Sequence, residues 1–137
     1  MPPLTLAALD LMPPIGLSAD RIVVYANKSA ADLLGWPTRD HGIGVDGLPA
    51  LAVGDQARIV EVLDKGRQPI QILRNYSVLT VTLKAIEVAS AGVWVQRDGK
   101  ILRLGTFVPA REAPSDEMLV AYLERARIAL LAAGFID

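Results

Sequence analysis

Nucleophilic and metal chemistry has little raw material in this chain. Its 137 residues contain no cysteine and a single histidine, His41. Disulfides, thiolate metal sites and cysteine nucleophiles are therefore excluded. One histidine cannot supply the four nitrogen and sulfur ligands of a structural zinc site. A serine nucleophile wants a histidine partner, and the G-x-S-x-G elbow is absent. Asp32, Glu61, Asp64 and Glu87 read as solvated faces or helix ends rather than as a working acid–base pair. The run Gly42-Ile43-Gly44-Val45-Asp46-Gly47 matches G-x-G-x-x-G by letter. A dinucleotide fingerprint must directly follow a strand and open a helix whose N-terminus meets the pyrophosphate. Here a helix and a turn with Pro37 come first and Pro49 follows, so the run reads as a flexible loop. His41 reads as an exposed histidine of that loop, with axial ligand or pH sensor as the functional alternatives. No enzyme signature emerges.

The elements that would position any site are clearer. The chain is long enough for one domain that buries about two thirds of its unfolded surface. It is 52% hydrophobic and 21% charged, with a formal charge of −1. Its fourteen Lys and Arg are scattered and interleave with no aromatic run, so nucleic acid is not an expected partner. No window approaches the roughly 18 apolar residues of a membrane helix. The Met1-Pro2-Pro3-Leu4 start lacks a positive n-region, so no signal peptide is expected and the expected location is cytoplasmic.

Leu4 to Met12 read as a short helix that Pro13-Pro14 ends. Ile15 to Ser18 read as a brief strand and Ile22 to Tyr25 as a second. Asn27 can cap a helix running to Leu34, and Gly35 can close it in the left-handed conformation. Leu48 to Val53 suit one helical turn. Asp55 caps a helix over Gln56 to Lys65, with Ile59, Val62 and Leu63 on one face and Gly66 at its end. Four strand-like runs follow: Pro69–Tyr76, Leu79–Val88, Val93–Gln96 and Ile101–Val108. Their expected breaks are Asn75-Tyr76-Ser77, Ser90-Ala91-Gly92 and Asp98-Gly99, the last being the strongest hairpin signal. Pro109 to Pro114 is a linker. Ser115 caps a final helix with Asp116 and Glu117 in its first turn, and Gly134 and Phe135 suit a Schellman closure. Leu119, Tyr122, Leu123, Ala126, Leu130 and Ala133 form one stripe of that helix. Met118, Val120, Ala121, Ile128 and Leu131 lie outside it, more apolar surface than one core face can use.

The stretch from Asp20 to Trp36 holds a strand, Tyr25-x-Asn27, a small-residue helix, and Leu33-Leu34-Gly35 followed by an aromatic. With the element order around it, this pattern resembles the PAS domain family. The resemblance implies an α+β fold: a five- or six-stranded antiparallel sheet with helices on one face and N- and C-terminal flanking helices. It divides the chain into a flanking helix over 1–14, a PAS-like domain over 15–108 whose core could end near 97, and a linker with an amphipathic helix over 109–137. One strand is in excess. "GVWVQR" (92–97) resembles a terminal PAS strand, which favours Ile101–Val108 as an addition; otherwise Val93–Gln96 extends a long penultimate strand.

The resemblance also implies a signalling module rather than a catalyst. Covalent chromophores of such domains need a cysteine, and histidine-ligated haem needs a histidine on the long helix before the sheet, which has none. A noncovalent flavin or another small hydrophobic ligand stays open. Trp36 and Trp94 would wall its pocket and Asn27 would offer polar contacts, or else all three serve packing and capping. Flanking helices of the family build dimers, so a homodimer and a protein signalling partner are expected. Leu119, Tyr122, Leu123, Leu130 and Phe135 are the expected interface, with packing across the chain's own sheet as the alternative. A ligand-free interaction module and a small cup-shaped α+β enzyme are the competing readings.

Overall fold

The computed structural model describes residues 6–46, 70–112 and 114–137. The expected helices over 48–53 and 56–65 lie outside them. Helix α1 (Leu6–Asp10) leads through Pro13-Pro14 into a hairpin of β1 (Ile15–Ala19) and β2 (Ile22–Ala26). Asp20 and Arg21 join the two strands with φ of 47° and 70°. Two left-handed residues match the twist of a tight hairpin.

Asn27 then fixes the corner between α1, the hairpin and α2 (Lys28–Leu34). Its side chain is fully buried. Oδ1 accepts from the Ala30 N–H at 3.1 Å, the expected cap, and also from the Ile15 N–H at 2.9 Å. Nδ2 donates to the carbonyls of Leu9 and Pro13 at 3.0 Å, with Met12 at 3.3 Å. Gly35 closes α2 at φ 73°, as its type and place required.

Three strands complete the sheet: β3 (Gln71–Leu79), β4 (Ala85–Arg97) and β5 (Lys100–Pro109). All pairs are antiparallel, in the order β2-β1-β5-β4-β3. Among the described residues the sheet therefore has five strands, not six. The favoured assignment of Ile101–Val108 as an added strand fails, because β5 is the central strand and "GVWVQR" is the second half of the penultimate one. Asp98 and Gly99, at φ 50° and 79°, form the expected hairpin turn.

Two other expected breaks sit inside strands. Asn75 takes φ 59° at an irregularity in the β3–β4 register between Leu73 and Tyr76. Asparagine tolerates that conformation, so the residue type that suggested a turn serves a bulge. Ser90-Ala91-Gly92 run straight through β4 as small residues under close neighbours. The real turn spans Thr80 to Lys84, which had read as strand. There the Leu83 N–H donates to the Thr80 carbonyl at 2.8 Å, and the Lys84 N–H to the Thr80 hydroxyl at 3.1 Å.

Strand alternation divides the side chains between two cores. Ile15, Leu17, Ala89, Ala91, Leu102, Leu104 and Val108 face the C-terminal helix α3 (Asp116–Ala132). Tyr76, Val78 and Val88 face the other way, with Leu34 of α2, Phe107 and Trp36. Ser115 caps α3 by accepting from the Met118 N–H at 3.1 Å, and Arg74 of β3 ties Asp116 at 2.6 Å. At the far end Gly134 adopts φ 79°, the Phe135 N–H donates to the Leu130 carbonyl, and the Phe135 ring lies 4.9 Å from Tyr25.

This packing bears directly on the interface expected on α3. Leu119, Leu123 and Leu130 have no exposed surface, because the helix lies across the chain's own sheet and spends them on its core. Tyr122 and Phe135 are half-buried against the same core. The large apolar side chains that α3 presents to solvent are instead Met118, Ile128 and Leu131.

Candidate ligand-binding site

The sheet face opposite α3 borders a cavity of about 470 Å³. Helix α2 contributes Ala30 and Leu34, β3 contributes Tyr76 and Val78, and β5 contributes Phe107. These positions follow from period-two alternation on the strands and from the inward turn of α2 that Asn27 and Gly35 delimit. The chain after α2 adds Trp36 and His41, and the Thr80–Lys84 turn adds Val81 and Leu83. Val81 and Leu83 stand 46% and 77% exposed, so the cavity opens beside apolar residues. The Val81 N–H donates to the Leu34 carbonyl at 3.0 Å, which locks this turn to the end of α2.

Trp36 owes its place to Gly42. Any Cβ at Gly42 would collide with the indole. The chain then lies along the free edge of β2, where the Gly44 N–H donates to the Val23 carbonyl at 2.7 Å and the Val23 N–H to Val45 at 3.0 Å. Gly44, at φ 82°, makes that approach possible. The first two glycines of the G-x-G-x-x-G run thus seat a tryptophan and cover a sheet edge, a tied-down role rather than a flexible one. His41 is exposed and borders the cavity, its ring 6.1 Å from Trp36.

The three residues expected to hold a ligand are not brought together. Trp36 lines the cavity. Asn27 is consumed by backbone groups, and Trp94 lies outside the lining, toward the β4–β5 hairpin. There it pairs in register with Arg103, whose guanidinium carbon is 5.3 Å from its ring centroid. Tyr76, Val78, Leu34 and Phe107 were missed as lining residues. Period-two spacing could have found Phe107, but Tyr76 and Val78 depended on a register hidden by the misplaced turn.

Among the described residues the lining is mostly apolar, with Trp36, His41, Asp46, Tyr76 and Thr80 as its side chains carrying polar atoms. The Tyr76 hydroxyl already donates to Ser90 Oγ at 2.8 Å. Arg103, on the same sheet face, has its pKa lowered to about 10, chiefly by burial, while Tyr76 acts in the opposite direction. Among the described residues, no group of three or more His, Cys, Asp or Glu side chains is placed to hold a metal ion. Among them, no helix is long and apolar enough to cross a membrane.

A five-stranded antiparallel sheet in this order, with a short capped helix and an apolar cavity on one face, is the architecture of PAS domains. A PAS domain family model matches residues 7–66. The PAS domain of a LuxR-family transcriptional regulator from Burkholderia thailandensis, solved with ethanol, superposes with a TM-score of 0.63 at 18% identity, over 77% of this chain and 96% of that one. The PAS domain of a two-component sensor histidine kinase gives 0.63 at 10% identity, over 76% and 91%. The PAS-B domain of Drosophila melanogaster Cycle, with bound ethylene glycol, gives 0.61 at 11% identity, over 70% and 98%. No curated protein matches the sequence. The fold is that of PAS domains, a family of sensory and regulatory modules whose model matches residues 7–66 of this chain.

Proposed function

We propose that this chain is a cytoplasmic sensory module that takes a small, mostly apolar ligand into the cavity beside Trp36 and answers through a protein contact. The observation that carries this reading is the cavity itself: about 470 Å³, lined by Leu34, Trp36, Tyr76, Val78 and Phe107. That volume lies within the range of small-molecule sites, and largely apolar walls with a few polar groups are their usual form. A flavin needs several hydrogen-bond partners along one ring edge. With Asn27 engaged elsewhere and Trp94 outside the lining, a less polar ligand suits these walls better. Solved PAS domains from the Burkholderia regulator and from Cycle hold ethanol and ethylene glycol respectively, which supports small-molecule access to this fold. For the output contact, homodimeric or with a signalling partner, the exposed Met118, Ile128 and Leu131 of α3 are the suited surface.

The test is mass spectrometry of the denatured extract of purified protein, compared with a Val78→Trp variant whose larger side chain fills the cavity. The expected result is a small molecule at near-stoichiometric yield that Val78→Trp lacks. A folded wild type that carries none, and takes up none from a panel of small apolar compounds, would make this a ligand-free interaction module.

A further inference from the structure

The turn between β3 and β4 carries two costs at one residue. Leu83 stands at φ 64°, in the left-handed region that a leucine Cβ disfavours. Its side chain is also left mostly in water, although it borders the apolar cavity. Glycine or asparagine at this place would form the turn with neither cost. The root of the turn is anchored. The Thr80 N–H donates to the Lys84 carbonyl at 2.9 Å, the Val81 N–H donates to the Leu34 carbonyl at 3.0 Å, and a Val81 methyl group lies beside Gly35 at the end of α2. The tip, Thr82 and Leu83, is exposed and bonds within the turn. Its Leu83 N–H donates to the Thr80 carbonyl at 2.8 Å, and the Thr80 and Thr82 hydroxyls meet at 3.1 Å.

We infer that Leu83 is the closing residue of the cavity: the Thr82-Leu83 tip is a lid that folds onto a bound apolar ligand while the root of the turn stays fixed to α2. The inference rests on the cavity reading above and adds how the ligand is retained. Strained backbone persists where the surrounding structure holds it, and such residues gather at ligand clamps and lids. An apolar ligand against Trp36, Val78 and Phe107 presents carbon surface at the mouth beside Leu83. By covering that surface, Leu83 gains the burial that water denies it. A move of the tip out of the left-handed conformation releases its strain in the same step, so both effects favour the closed, liganded state. Val81, tied through its own N–H, forms the fixed side of the mouth. The consequence falls on release, since a side chain that closes after entry slows dissociation more than association.

Calorimetric titration of the whole chain with 1-octanol, and tryptophan fluorescence of its release after dilution, test this in wild type, Leu83→Asn and Leu83→Met. Asparagine tolerates the left-handed conformation and offers the ligand no apolar side chain. Leu83→Asn is expected to bind 1-octanol about 10-fold more weakly, the scale of covering much of one leucine, with the loss in a faster release. Leu83→Met, which keeps an apolar side chain, should retain most of the affinity. Without ligand, Leu83→Asn should melt at or above the wild-type temperature, because it relieves the strain. Equal affinity and release in wild type and Leu83→Asn, with both binding, sinks the lid and leaves the cavity reading standing. A ligand-free Leu83→Asn that melts lower marks Leu83 as a residue packed for stability and also overturns the lid. Failure of wild type to bind 1-octanol overturns it together with the cavity reading.

Discussion

Asn27 and Tyr25, two residues apart, illustrate how far side-chain chemistry could be read without coordinates. Asn27 was legible as a cap because its type and its place before a small-residue helix suffice. The other bonds of its amide, to Leu9, Met12, Pro13 and Ile15, come from chain that only folding brings near. Its polar atoms were thereby removed from any ligand site. Tyr25 gave no such signal. It is buried against Phe135, and its hydroxyl has no hydrogen-bond partner among the described residues. Burial pushes its pKa up to about 12, with Asp10 adding to the rise and Arg39 opposing it. An unfolded tyrosine titrates near 10. Between about 10 and 12 the unfolded chain has lost a proton that the folded chain keeps, so the neutral hydroxyl supports the fold below that window and stability falls as pH rises through it. Tyr25→Phe should match or exceed wild-type stability at pH 7, because it deletes an unsatisfied buried hydroxyl. Urea melts of the two proteins at pH 7 and pH 11 check this. The variant should lose less stability than the wild type, and equal losses would contradict the assignment.

Helix α3 carries the lesson at the level of elements. Its span, its Ser115 cap and its Gly134 closure followed from local signals, and so did the excess of apolar residues around it. Which stripe met the core was not local information. Helical spacing gave the Leu119–Leu123–Leu130 stripe, but a core stripe and an interface stripe look the same in sequence. The sheet face of Leu17, Ala91 and Leu104 decided the matter by claiming those leucines. Leu123→Ala should therefore cost about 2–5 kcal/mol of folding stability, and Leu123→Glu should unfold the chain rather than split a dimer. Ile128→Glu, on the exposed face, should change stability by no more than about 0.5 kcal/mol. Thermal melts with light scattering separate the two positions. A folded, stable Leu123→Glu protein would refute this placement of the helix. The β-strands show the converse error: Val81 and Thr82 have strand-forming side chains, yet they turn, because the chain must reverse between β3 and β4 and Thr80 can close the loop.

At the scale of the whole molecule, the two cores share β4 and β5, one on each face of the same strands. Loss of either removes support from the other, so unfolding should be a single cooperative event. Trp36 beside the cavity and α3 across the sheet report on opposite layers. Tryptophan fluorescence and far-ultraviolet circular dichroism should therefore give coincident transitions, and α3 melting first would show the layers to be independent. The sequence by itself determined the absence of thiol chemistry, the capped α2 corner, the Asp98-Gly99 hairpin and the PAS resemblance, because each depends on residue type or on neighbours a few positions apart. Tertiary structure alone decided the strand count, the side of α3 that is buried and the lining of the cavity. It also set Arg103 on Gly92 beside Trp94. Those outcomes depend on register and on which faces meet, and a one-residue slip in a strand exchanges its faces without changing any local preference.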